Sequence, residues 1–149
     1  MTTSHKVVRI HAYGNREVLA YEDAPLPTID TDEVLVKIHA TSINPVDWKV
    51  REGYLQGFLA HKLPLTLGWD FAGEITALGA DVTGWKIGDA VYSRPDISRD
   101  GTYAEYIAVR ASEIARKPET INWQQAAAVP LTALTAWQSL YEMANVQAG

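Results

Sequence analysis

Val34, Val36 and Ile38 alternate with Leu35, Lys37 and His39, and period-two patterning rich in β-branched residues reads as a strand. The same signature predicts strands over Lys6–Ile10, Val18–Glu22, Phe71–Leu78, Ala90–Arg94 and Thr102–Val109. Turn formers such as Ala24-Pro25-Leu26-Pro27 and Gly79-Ala80-Asp81 separate them. Many short strands with irregular links suggest a small barrel or a sandwich. A helical turn or two interrupts the pattern: Asn44 can cap, Pro45 suits the first helical position, and Gly53 can end the segment. From Asn122 the character changes. Asn122 and Gln125 stand at capping-box spacing before Ala126-Ala127-Ala128, and a helical stretch follows Pro130 from about Leu131 to Ala144.

The 149 residues suit one domain, large enough to bury about two thirds of its unfolded surface in a single core. Apolar residues at 47% and charged residues at 21% are ordinary soluble values, and no apolar run approaches the ~20 residues of a membrane span. A net charge of −5 argues against a broad footprint for DNA or RNA. With no cysteine there is no disulfide framework, thiolate nucleophile or cysteine-based zinc site. Met1–Lys6 leads straight into Val7-Val8-Arg9-Ile10 without the apolar core of a secretory signal, so a cytoplasmic location is expected.

Candidate chemistry is ambiguous residue by residue. His5, His11, His39 and His61 show no ligand spacing, and no metal site is expected from them. The cluster Gly68, Gly73, Gly79, Gly84 and Gly88 contains no phosphate-cradling motif and suits turns and close backbone approach. No Ser sits in a G-x-S-x-G elbow. Asp47 and Asp70 could form a carboxylate pair of the kind used on glycosides, although capping and loop hydrogen bonding is the favoured reading. Lys49 and Arg51 suit exposed helix positions, and Trp69 suits a core anchor.

The order of these residues carries more information. Asn44-Pro45-x-Asp47, Gly68-x-Asp70-x-x-Gly73, Gly88-Asp89-Ala90-Val91-Tyr92, Gly101-Thr102-Tyr103-Ala104-Glu105-Tyr106 and Ala126-Ala127-x-x-Pro130-x-x-x-x-Thr135-Ala136 follow one another along the chain. That sequence resembles the amino-terminal catalytic domain of medium-chain dehydrogenase/reductases, in their zinc-independent, quinone oxidoreductase-like branch. The resemblance implies a mainly β fold with short helices: a GroES-like, partly open β-barrel over residues 1–125. Residues 126–149 would then be a helical connection toward a Rossmann nucleotide-binding domain absent from this chain.

Zinc-dependent members resemble the same frame with Cys at the Asn44 position, a hydroxyl relay at Val46, His at Trp69 and a further ligand near Leu131. None of those groups is present here, so the resemblance implies metal-free reduction, with hydride passing from NADPH to a quinone or an α,β-unsaturated carbonyl. By position, Asn44, Lys49, Leu131 and Thr135 would meet the cofactor, and Asn44, Lys49 and Tyr54 would serve catalysis. Lys49 could bind phosphate, stabilise an enolate or be inert. Tyr54, Tyr92 and Trp48 would wall the acceptor pocket. Small molecules are the expected partners, with neither nucleic acid nor membrane. The parent protein is expected to be the active enzyme and this chain alone to be inactive, its uncovered edges leaving surface on which a homodimer could form. Two other classes stay open: a stand-alone binding or interaction module without catalysis, and a carbonyl-binding lyase or isomerase without nicotinamide.

Overall fold

A computed structural model describes residues 3–147. Two sheets form the body, in the orders β2-β1-β4 and β7-β3-β5-β6-β8. The strands are β1 (Ser4–Ile10), β2 (Leu19–Pro25), β3 (Glu33–Thr41), β4 (Leu65–Thr66), β5 (Phe71–Leu78), β6 (Ala90–Ser93), β7 (Tyr106–Arg110) and β8 (Ala115–Arg116). Every named pairing is antiparallel, which lets one face of each strand turn inward and the other meet solvent. Residues 103–105 stitch the sheets together. The Val8 N–H donates to the Tyr103 carbonyl at 2.7 Å, the Glu105 N–H to Lys6 at 3.0 Å and the Ile38 N–H to Glu105 at 2.8 Å. The result is a partly open barrel rather than a flat sandwich.

The alternation in β3 and β5 does what its period implies. Val34, Val36, Phe71, Ile75, Val91, Ile107, Val109 and Ile114 form the main core. A second apolar cluster of Ile10, Val50, Leu65, Leu67 and Trp69 lies under α1 (Pro45–Arg51). A small third one joins Ala72 to Ala126 and Ala127 of α2 (Trp123–Ala127). The boundary drawn after Gln125 thus falls inside α2. Its Asn122 and Gln125 form a reciprocal capping box, with side-chain-to-amide bonds of 2.8 and 3.0 Å. Beyond it, α3 (Pro130–Trp137) passes into a π-helical turn over Gln138–Met143, and residues 148 and 149 of the expected helical connection lie outside the described residues.

Two expectations need correction. The strand expected over Thr102–Val109 begins only at Tyr106, because the amides of Gly101, Thr102 and Tyr103 donate to the carbonyls of Thr66, Gly68 and Leu67, each at 2.8 Å. This loop pairing explains both glycines: a Cβ at Gly101 would strike the Leu67–Gly68 backbone, and Gly68 itself sits at φ +89°. The strand expected from Val18 starts instead at Leu19, since Arg16–Val18 form a 3-10 turn capped by Asn15.

Candidate active site

A β-bulge at the end of β3 sets the site. The register passes from Ile38 opposite Gly73 to Ala40 opposite Ala72, leaving His39 unpaired and stacked on Trp123 with ring centroids 4.5 Å apart. The strand then turns through Ser42 and Ile43 into α1. Asn44 caps this helix in an extended conformation, Pro45 follows, and Asp47 Oδ2 accepts from the Asn44 N–H at 2.7 Å. Gly53, at φ +84°, lies just past the helix end.

Two buried carboxylates organise what surrounds this corner. Asp70 has no solvent exposure; its Oδ2 accepts from Ser42 Oγ at 2.8 Å and Asn44 Nδ2 at 2.9 Å, and its Oδ1 from the Leu131 N–H at 2.8 Å. One side chain therefore ties the β3–α1 corner to the first turn of α3, where a negative charge is also favoured by the helix dipole. Asp47 Oδ2 accepts a second hydrogen bond, from Tyr103 Oη at 2.7 Å, while its Oδ1 is buried without a partner. Burial raises both carboxyl groups above the ordinary range. For Asp70, the Ser42, Asn44 and Leu131 donors and the Arg94 charge oppose that rise. For Asp47, the Asn44 amide and the Tyr103 hydroxyl oppose it, and the Asp70 charge adds to it. Burial, then Asp47, pushes the Tyr103 hydroxyl upward. Both acids act in capping and loop hydrogen bonding, the favoured reading of the sequence.

Above this network opens a cavity of about 340 Å³ lined by Val46, Arg94, Ile97, Leu131, Leu134, Thr135 and Gln138. The structure brings Leu131 and Thr135 together there. Asn44 lies beneath, buried, its Nδ2 committed to Asp70 and to Ser42 Oγ at 3.0 Å. Thr135 Oγ1 donates to the Leu131 carbonyl at 2.7 Å. Lys49 and Tyr54 lie elsewhere: Lys49 Nζ sits 5.8 Å from the Trp48 ring centroid, and Trp48 meets Tyr54 edge-on at 5.8 Å. These three make an exposed aromatic-cationic patch on and after α1. Tyr92 is apart from them, packed on the Ala72–Ala126–Ala127 cluster. Trp69 is fully buried and donates its indole N–H to the Arg99 carbonyl at 3.3 Å, a core anchor. Arg94 and Ile97 line the cavity without any prior sign in the sequence.

Asn44, Trp69 and Leu131, where the resemblance implies zinc ligands in other members, carry an amide, an indole and an isobutyl group, side chains that do not ordinarily ligate zinc. Among the described residues, no three His, Cys, Asp or Glu side chains gather as a metal-binding group.

The fold and this corner define a class. The chain belongs to the alcohol dehydrogenase GroES-like domain family, whose model matches residues 30–119. Among its relatives, the chain is 40% identical over 142 residues to the mitochondrial NAD(P)H oxidoreductase RTN4IP1 of Dictyostelium discoideum, covering 93% of this chain and 40% of that protein. It is 34% identical to a chloroplastic quinone-oxidoreductase homolog of Spinacia oleracea, covering 90% of this chain and 41% of the relative. The quinone oxidoreductase of Coxiella burnetii superposes with a TM-score of 0.88 at 35% identity, over 98% of this chain and 47% of that one. The chain thus spans about two fifths of the length of these curated relatives.

Proposed function

We propose that this chain is the catalytic-domain part of a zinc-independent, NADPH-dependent oxidoreductase that delivers hydride to a quinone or an α,β-unsaturated carbonyl. The observation that carries the reading is the cavity at Val46, Leu131 and Thr135. It lies over the Asn44–Asp70 network, in a frame whose relatives are named as NAD(P)H and quinone oxidoreductases. Its volume of about 340 Å³ suits one end of a cofactor against a small planar acceptor. A bound nicotinamide would supply the hydride. The chain's residues orient: Thr135 and Leu131 form a wall, and the buried Asn44 holds Asp70, which in turn fixes the Leu131 amide. Tyr54 and Lys49 stand with Trp48 on the exposed patch on and after α1, apart from this cavity. A cytoplasmic location belongs to the same proposal, as does NADPH in preference to NADH.

The test uses protein produced from its complete reading frame. NADPH oxidation is followed with a quinone and with an enone, before and after dialysis against a chelator. Turnover of either acceptor, unchanged by the chelator, is expected; no turnover of both, or activity restored only by added zinc, overturns the reading. A second reading, a binding module, is favoured by one observation: Val129, Leu134, Trp137, Leu140, Tyr141, Met143 and Val146 are exposed along α3 and the segment after it. Tight, stoichiometric NADPH binding by residues 1–149 alone would count against a module that lacks a cofactor.

A further inference from the structure

Six of the seven arginines have an acidic partner: Arg9 with Glu22, Arg16 with Glu17, Arg51 with Glu52, Arg99 with Glu33, Arg110 with Asp96 and Glu113, and Arg116 with Asp89. Arg94 is the exception. Among the described residues it makes neither a hydrogen bond nor an ion pair, although it is half-buried. The Asp70 carboxylate feels its charge, yet every N–H of its guanidinium is left without a protein acceptor among those residues, and a partly desolvated donor fork is costly to leave unfilled. Its neighbours hold it in place. Ser93 is buried and donates its hydroxyl to the Glu113 carbonyl at 2.5 Å. Pro95 is buried on the other side and restricts the Arg94 backbone to extended conformations.

Among the described residues, Arg94 is the only charged one that lines the cavity at Val46, Leu131 and Thr135. The nearby carboxylates are already satisfied: Asp70 by Ser42, Asn44 and Leu131, and Glu113, which lines the adjoining cavity, by Arg110 at 2.7 Å. We propose that Arg94 is an oxyanion site, a cationic fork that receives the carbonyl oxygen of the acceptor. This deepens the oxidoreductase reading and rests on it. A bound reduced nicotinamide would supply hydride from C4, becoming oxidised, to form a C–H bond at the β-carbon of the unsaturated carbonyl. The alkene pair moves in to form the α-carbon–carbonyl double bond, and the carbonyl pair moves onto oxygen. Arg94 stabilises that oxygen by charge-assisted hydrogen bonds, and a water proton then restores the α-carbon. Since Arg keeps its proton throughout, it acts as electrophile and not as acid. The site thus favours flat acceptors bearing a carbonyl or a carboxylate over neutral hydrocarbons and alcohols.

The experiment needs no cofactor. The ¹⁵N-labelled chain is titrated with benzoate, a flat ring carrying an oxyanion, and with benzyl alcohol as its neutral counterpart, while the Arg94 Nε–H resonance is followed. A saturable shift with benzoate, little or none with benzyl alcohol, and at least tenfold weaker benzoate binding by R94Q are expected. An Arg94 resonance unmoved at saturation, or equal affinity in R94Q, overturns the proposal. If R94Q does not fold, the wild-type resonance still decides. Benzoate held at Arg94, with no oxidation of NADPH by the protein from the complete reading frame when either a quinone or an enone is supplied, would sink the oxidoreductase reading and leave the oxyanion site standing.

Discussion

On one side of β5 lies an apolar core of Val34, Val36, Phe71, Ile75 and Val91, and at its start a polar knot joins Asp70, Asn44, Ser42, Asp47 and Tyr103. The core and the knot's Asn44, Asp47 and Asp70 are buried, yet the two regions are stabilised in opposite ways. The core gains by removing apolar area from water and tolerates any shape that fills the space. Each member of the knot is held by particular partners, and a carboxylate in it is favourable only while its donors remain. The core fixes where the strands lie. The knot fixes where α1 and α3 meet, and so where the cavity opens.

The largest expected effect breaks the core. Phe71→Ala removes a fully buried ring and should cost about 3–5 kcal/mol in chemical denaturation, with the knot lost only because the fold is lost. Asp70→Ala breaks the knot alone: it leaves the Leu131 amide, Ser42 and Asn44 without their acceptor, and should cost about 2–3 kcal/mol. Amide exchange distinguishes the two variants, because Leu131 and the first turn of α3 should lose protection in Asp70→Ala while β3 and β5 keep theirs. A double-mutant cycle of Asp70→Ala with Asn44→Ala should give a coupling energy of about 1 kcal/mol, whereas Asp70→Ala with Val109→Ala should be additive to within about 0.5 kcal/mol.

The smallest effect is one of pH. Asp47 has its carboxyl raised by burial, so the folded state binds its proton more tightly than the unfolded chain does. Its ionisation therefore weakens the fold at neutral pH, and that loss is relieved as pH falls through the raised value toward the ordinary carboxylate range. Asp47→Asn removes the titration while keeping an oxygen for the Asn44 amide and Tyr103. The melting temperature of the wild type relative to Asp47→Asn should rise as pH is lowered from neutral toward the carboxylate range; a constant or falling difference contradicts the assignment.

How much of this could be read in the chain divides along the same line. The core was legible because alternation in Val34–Ile38 and Phe71–Leu78 encodes a buried face directly. Strands β4 and β8, of two residues each, carry no period and went unseen, and Gly101–Tyr103 looked like strand although its amides serve a loop. In the site, Asn44 and Pro45 announced the helix start, and the order of motifs singled out Leu131 and Thr135, which share the lining of one cavity. The bond from Asp70 to Leu131 spans 61 residues, and no local pattern records it. Arg94 was invisible for a plainer reason: having no partner is a property of space. Lys49 and Tyr54, singled out by position, lie on an exposed patch and do not line the cavity.

Deuterium labelling distinguishes the proposed metal-free hydride transfer from its alternatives. Protein from the complete reading frame, dialysed against a chelator, is given NADPH deuterated at C4 and an α,β-unsaturated ketone. Product carrying deuterium at the β-carbon from one face of the cofactor, at a rate the chelator does not change, is expected. Product without deuterium there, or transfer that stops with the chelator and returns with zinc, would contradict the proposal.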